Sequence, residues 1–183
     1  MARLIKDSWI REYLRYTKEL ESPEAFHLWT GLSVLASVLD REVSFSQSFF
    51  TVFPNQYIIL VAGSQLCRKS TAIGVGRDLL GLLPEAERPN FVSQKITPEA
   101  LIEKLYPEPK ITHKGDKGTI VKPLSTGMLV ASELSVLINA QARHSGLLAV
   151  LVDLYDCPSL WSYQTKMRGE EALQNLYVNM LSG

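Results

Sequence analysis

Lys69, Ser70 and Thr71 follow Gly63 at a spacing that suits chemistry on phosphate. The whole stretch reads Tyr57-Ile-Ile-Leu-Val-Ala-Gly63-Ser64-Gln65-Leu66-Cys67-Arg68-Lys69-Ser70-Thr71. A loop of the form G-x-x-x-x-G-K-[S/T], set between a strand and a helix, turns its backbone N–H groups toward phosphate oxygens. Gly63 gives the backbone freedom for the sharp turn. The Lys69 ammonium suits the β- and γ-phosphates of a nucleoside triphosphate, and the Ser70 hydroxyl suits Mg²⁺. The expected nucleotide-binding set is therefore Gly63, Ser64, Gln65, Leu66, Cys67, Arg68, Lys69, Ser70 and Thr71, with ATP and Mg²⁺ as cofactors. One position departs from the pattern. Arg68 stands where the second glycine belongs, so it must adopt whatever backbone angles the loop requires.

A second group with chemistry lies at Glu133. Gly127-Met-Leu-Val-Ala-Ser132-Glu133-Leu reads as a buried strand ending in a carboxylate. In hydrolysing enzymes with such a loop, a strand beside the phosphate-loop strand is expected to end in acidic residues, which support the metal and polarise the attacking water. Glu133 is the candidate base and a candidate metal support, and Ser132 occupies the place of the usual aspartate. The bland alternative is that Glu133 caps a helix over 134–142. Asn179, polar within the apolar run Leu176-Tyr-Val-Asn-Met-Leu, is a candidate to sense the γ-phosphate or orient water. Lys69, Glu133 and Asn179 are thus the catalytic candidates. Asp153 is a rival acid, because Leu147-Leu-Ala-Val-Leu-Val-Asp imitates a metal-binding strand. The same run also fits a helix closed by Asp156-Cys-Pro158, and the helix is favoured.

These groups need elements to hold them. The apolar run Tyr57–Ala62 suits a central strand covered on both faces. The helix after the loop, ending near Gly81 and Pro84, carries Ile73, Arg77 and Leu80 on one face. Its internal Gly74 and Gly76 weaken it by about 1 kcal/mol each, unless they mark close packing against the sheet. Before the loop, Ile10, Tyr13 and Leu14 form a helical stripe. Ser22-Pro23-Glu24 is a helix start with serine at the cap, leading to an apolar helix up to Leu39. His27 and Trp29 on that helix are read as packing residues. Residues 43–53 alternate as a strand or hairpin. Beyond the loop helix come a short strand at 90–94 and a capped helix starting at Thr97-Pro98-Glu99. A hairpin tip or loop rich in lysine follows at 107–126, whose Lys110, His113, Lys114, Lys117 and Lys122 are read as solvated or as touching nucleic acid. A short strand at 161–166 and a turn at Gly169 precede the closing strand.

The bulk properties exclude several classes. The chain has 183 residues, 46% apolar and 21% charged, with 19 basic and 19 acidic side chains. A soluble globular protein with a sizeable core fits. A zero net charge gives no global signature for nucleic acid, so any such binding needs a local patch. Two cysteines are too few for a disulfide framework or a zinc site, and Cys67 within the loop suits a reducing compartment. No run reaches the length of a membrane span and no signal peptide is legible, so a cytoplasmic location is expected. Closing on a strand without a covering helix suggests part of a longer protein.

With these motifs in place, the chain resembles a family of RecA-like P-loop ATPases of phages, plasmids and other mobile elements, often fused or adjacent to primases and thought to act as replicative helicases. The resemblance runs over nearly the whole chain. It rests on Ser22-Pro-Glu-Ala-Phe-His27-x-Trp29, Arg68-Lys69-Ser70-Thr71, Ser132-Glu133-Leu134, Leu154-Tyr-Asp156 and Tyr177-Val-Asn179-Met-Leu. Arginine often replaces the glycine before the lysine in this family. The resemblance implies an α/β RecA-like P-loop NTPase core with a mainly parallel sheet over 46–183, incomplete at its C-terminal end. An N-terminal helical segment over 1–45 precedes it. It also implies hydrolysis of ATP with Mg²⁺, single-stranded DNA as partner, a homo-oligomer such as a hexameric ring, and a primase domain or partner. A neighbouring subunit's arginine would complete the site, and Arg143 and Arg168 are the candidates. Two other functions use the same loop. A kinase of a small molecule needs an acceptor pocket and a lid, for which 107–126 is the candidate segment. A nucleotide-gated binding module needs no turnover.

Overall fold

The computed structural model describes residues 8–63, 67–85, 87–92, 95–113, 119–139, 145–165 and 169–183, and the side chains of all these except 108–113, 119–122 and 165. Helix α1 (Trp9–Tyr16) and helix α2 (Glu24–Leu39) come first, followed by a 3-10 turn at Asp40–Glu42. Strands β1 (Phe45–Gln47) and β2 (Phe50–Val52) form an isolated antiparallel hairpin. It stands off the main sheet and leaves Phe45, Phe49 and Phe50 in solvent. Then follow β3 (Tyr57–Ile59), α3 (Lys69–Gly81), β4 (Phe91–Val92) and α4 (Pro98–Lys104). The chain continues through β5 (Glu108–His113), β6 (Thr119–Ala131), α5 (Leu134–Leu137), α6 (Leu147–Tyr155), β7 (Leu160–Thr165), β8 (Gly169–Gln174) and β9 (Leu176–Ser182).

The main sheet has the order β3-β9-β6-β4, with every pair in it parallel. The molecule is therefore a mixed α/β protein with a four-stranded parallel sheet. Strand β9 is buried along its whole length, as expected for a strand flanked on both edges and covered on both faces. Within the 107–126 segment, expected as a hairpin or loop, β5 pairs antiparallel with the first half of β6, and the second half of β6 enters the parallel sheet. Its lysine-rich tip, with Lys114 and Lys117, lies outside the described residues, as do Arg143 and Arg168.

Two apolar clusters sandwich the sheet. One face carries Leu101, Ile102, Leu147, Leu154, Val178 and Met180 among others. On the other face Val34 of α2 joins Ile58, Leu60, Ile73, Leu80 and Met128. Helix α2 thus shares a core with the sheet, and α1 packs against α2. Tight packing between α2 and α3 depends on Gly76, where an added Cβ would collide with the Thr30 Cγ2. The partner in this close approach is α2 and not the sheet. Gly74 has no atom within 4 Å of such a Cβ.

At the N-terminal ends of the strands, Arg41 ties elements together. Its Nη1 donates to the carbonyls of Cys157 at 2.9 Å and Leu176 at 2.7 Å. Its guanidinium lies over the Phe53 ring, 4.1 Å from the centroid. Burial lowers the Arg41 pKa, and the two accepting carbonyls satisfy part of its donor fork. Burial also pushes the nearby Cys157 thiol up to about 11, so it stays protonated and unreactive at neutral pH.

Candidate functional site

The C-terminal ends of three parallel strands meet at one edge. In register, Ile59 of β3 is opposite Ser182 of β9, and Ser182 is opposite Ala131 of β6. One residue or a few beyond, the chain delivers Ala62 and Gly63, Gly183, and Ser132 and Glu133 to the same rim. Ligands of open α/β sheets bind in this position, outside the carboxyl ends of the strands. A cavity of about 860 Å³ lies here. Gly63, Cys67, Arg68, Lys69 and Ser70 line it from the loop and the start of α3. Ser132, Glu133, Ser135 and Gly183 line it from the opposite wall. A volume in this range is that of a small-molecule site.

Helix α3 begins at Lys69, so its free N–H groups and positive dipole end open into the cavity. The Lys69 Nζ donates to the Ala62 carbonyl oxygen at 3.4 Å, which folds the side chain back across the loop mouth. Ser70 lines the cavity, while Ser64, Gln65 and Leu66 lie outside the described residues. Thr71 is exposed on the first turn of the helix.

Arg68 has φ 43° and ψ 43°, the left-handed conformation. The loop therefore demands at this position the backbone that a glycine supplies freely, and a side chain there costs about 1–2 kcal/mol. Two contacts from the α1–α2 linker hold it. The Ser22 hydroxyl donates to the Arg68 carbonyl at 2.8 Å, and the Arg68 Nε donates to the Glu21 carboxylate at 2.7 Å. Both charged side chains are largely solvated, so the pair contributes direction more than stability. Ser22 was expected to cap α2, but the cap position is Pro23 and no side-chain bond closes that helix start. The hydroxyl is engaged across the structure instead. The expected cap at Thr97 is present, its Oγ1 accepting from the Ala100 N–H at 3.3 Å.

Glu133 sits at the end of β6 with an extended backbone, facing the loop across the cavity. It precedes α5, yet its side chain makes no capping bond, and α5 itself spans four residues. The Ser135 hydroxyl donates to the Glu133 Oε2 at 3.4 Å. The wall is braced by backbone: the Leu134 N–H donates to the Gly183 carbonyl at 2.8 Å, and the Leu60 N–H to the Ser182 carbonyl at 2.7 Å. Gly183 is wedged tightly, since a Cβ there would lie 3.0 Å from the Ser132 oxygen and 3.3 Å from the Lys69 Cβ.

Two expectations are corrected by this geometry. The Glu133 strand does not lie beside the phosphate-loop strand, because β9 is inserted between them. The separation leaves a wider opening between Lys69 and Glu133. Asn179 does not reach the cavity. It is 1% exposed and lies three residues before the end of β9, roughly 10 Å below the rim at ~3.3 Å per residue. Its Oδ1 accepts from the Gln56 N–H at 2.8 Å, which satisfies a backbone donor at the entry of β3. Asp153 lies on α6, exposed and away from the cavity, as the helix reading required. Glu21, Ser22 and Gly183 were missed as site residues. Ser22 was hidden in what reads as a helix-start motif, with Glu21 just before it.

Among the described residues no group of three or more His, Cys, Asp or Glu gathers to hold a metal ion. A Mg²⁺ held by one hydroxyl and by phosphate oxygens needs no such group. No helix among them is long and apolar enough to cross a membrane. No protein-family model matches the chain, and no curated protein and no solved structure matches it either.

Proposed function

We propose that this chain is the ATP-binding and ATP-hydrolysing core of a motor acting on DNA, a RecA-like P-loop domain of the kind that mobile elements use for replication. The observation that carries the nucleotide reading is the cavity at the sheet edge. There Lys69 and Ser70, at the N-terminus of α3, face Glu133 across an opening of nucleotide size.

In this reading the α3 N–H groups and the Lys69 ammonium bind the phosphate oxygens and offset charge that grows on them during transfer. The folded-back Lys69 exchanges its weak bond to the Ala62 carbonyl for phosphate. The Ser70 hydroxyl would hold Mg²⁺, which when bound would neutralise phosphate charge. Glu133, free of capping duty and wide of Lys69 by one strand, accepts the proton of a water placed between them. Ser135 orients that carboxylate. Action on single-stranded DNA and assembly with further copies of the chain rest on the resemblance carried by the sequence motifs.

The test is phosphate release from ATP by the protein with and without single-stranded DNA, beside Glu133→Gln. DNA-stimulated turnover that falls at least a hundredfold in the variant supports the motor, in line with removal of a general base. Binding without turnover points to a nucleotide-gated module.

A second reading has one observation in its favour. A further cavity of about 400 Å³, lined by Ser70, Gly74, Arg77, Phe91 and Ser132, adjoins the first through Ser70 and Ser132. An acceptor there would make the protein a small-molecule kinase, and phosphate appearing on a metabolite instead of water would favour it.

A further inference from the structure

We propose that Arg68 is a phosphate-contacting residue of the site and that Glu21 is the positioning residue that aims it, an inference that rests on the nucleotide reading above. Arg68 lines the cavity beside Lys69. Its backbone is left-handed, a conformation that glycine supplies with less strain, so whatever the arginine contributes must come from its side chain. That side chain is anchored by one nitrogen. Nε donates to the Glu21 carboxylate at 2.7 Å, and no other described residue pairs with the guanidinium. Both terminal nitrogens keep their donors, in a planar fork that matches two oxygens of a phosphate group.

The anchor comes from outside the loop. Glu21 and Ser22 belong to the linker between α1 and α2, and they grip the same residue at its side chain and its carbonyl. The linker therefore sets both the backbone of the loop and the direction of the fork. The ligand class is a polyphosphate, and the third phosphate is where a second cation beside Lys69 adds most. Occupancy of the site is felt by the α1–α2 pair through the same residue.

The test is calorimetric titration of Mg-ATP into the whole chain and its variants Arg68→Gly, Arg68→Lys, Glu21→Gln and the double variant. Arg68→Gly keeps the fold, checked by thermal unfolding, because glycine accepts the left-handed backbone. It is expected to weaken ATP roughly tenfold or more, the loss of a charge-assisted contact. Arg68→Lys keeps the charge without the fork and falls between. Glu21→Gln weakens ATP by several fold, and the effect disappears in the Arg68→Gly background, which a purely structural role would not produce. Arg68→Gly binding as tightly as wild type overturns the proposal, and so does a Glu21→Gln variant that binds more tightly. If Lys69→Ala abolishes binding while Arg68→Gly binds as tightly as wild type, only the Arg68 assignment fails. A wild-type chain that binds no ATP overturns this assignment and the nucleotide reading together.

Discussion

The Ser22 hydroxyl donates to the carbonyl oxygen of Arg68 across 2.8 Å, joining residues 46 positions apart. This bond couples the linker of the N-terminal helices to the residue just before α3. Ser22→Ala leaves that carbonyl without its side-chain partner and is expected to lower stability by about 1 kcal/mol. For a domain of this size the shift in melting temperature is about 2–4 °C. Thermal unfolding measures it, and an unchanged midpoint would mean that the bond is replaced by water at no cost.

Gly74 and Gly76, both inside α3, give opposite expectations. Gly76→Ala drives a methyl group into the buried Thr30 side chain and loosens the α2–α3 contact, at a cost of about 1–3 kcal/mol. Gly74→Ala meets nothing and removes backbone freedom from the unfolded chain, so it stabilises by about 0.5–1 kcal/mol. Denaturant midpoints of the two variants should move in opposite directions. Equal shifts would contradict the packing described.

His27 gives the protein an acid limit. It is 1% exposed, packs edge-on to the Tyr13 ring at 6.3 Å between centroids, and among the described residues has no hydrogen-bond partner at either nitrogen. Burial lowers its pKa below the ordinary value of 6.5. The unfolded chain therefore binds this proton more readily than the folded one, and stability rises with pH through that window. Its contribution is intact above about 6.5 and is lost progressively as the pH falls below it. Melting temperatures between pH 7.5 and 5 should fall more steeply for wild type than for His27→Gln. Parallel slopes would remove His27 from the account.

Much of this architecture was legible in the residues. Helical spacing placed Ile10 and Tyr13 inward, the Thr97 cap started its helix, and the apolar run at 147–155 proved to be helical despite Asp153. Strands β6 and β9 stood out as apolar runs. Their order did not, because two runs of similar character carry no mark of which lies beside β3. Asn179 was misplaced for the same reason: a polar residue in a strand can face the rim or a backbone donor below it, and only register decides. Ser22 followed by Pro23 and Glu24 satisfied a local rule for helix starts, while its hydroxyl was committed to a partner far along the chain. Arg68 was the reverse case. The departure from the loop pattern marked a position whose left-handed backbone is held from outside the loop.

The most direct test of the central claim is calorimetric titration of Mg-ATP into the wild-type chain and into Lys69→Ala at equal folded concentration. The account predicts saturable, one-site binding for wild type and a loss of at least tenfold in affinity for the variant, as removal of a cation from phosphate requires. Equal binding by both chains, or none by the wild type, would contradict a phosphate site at the start of α3.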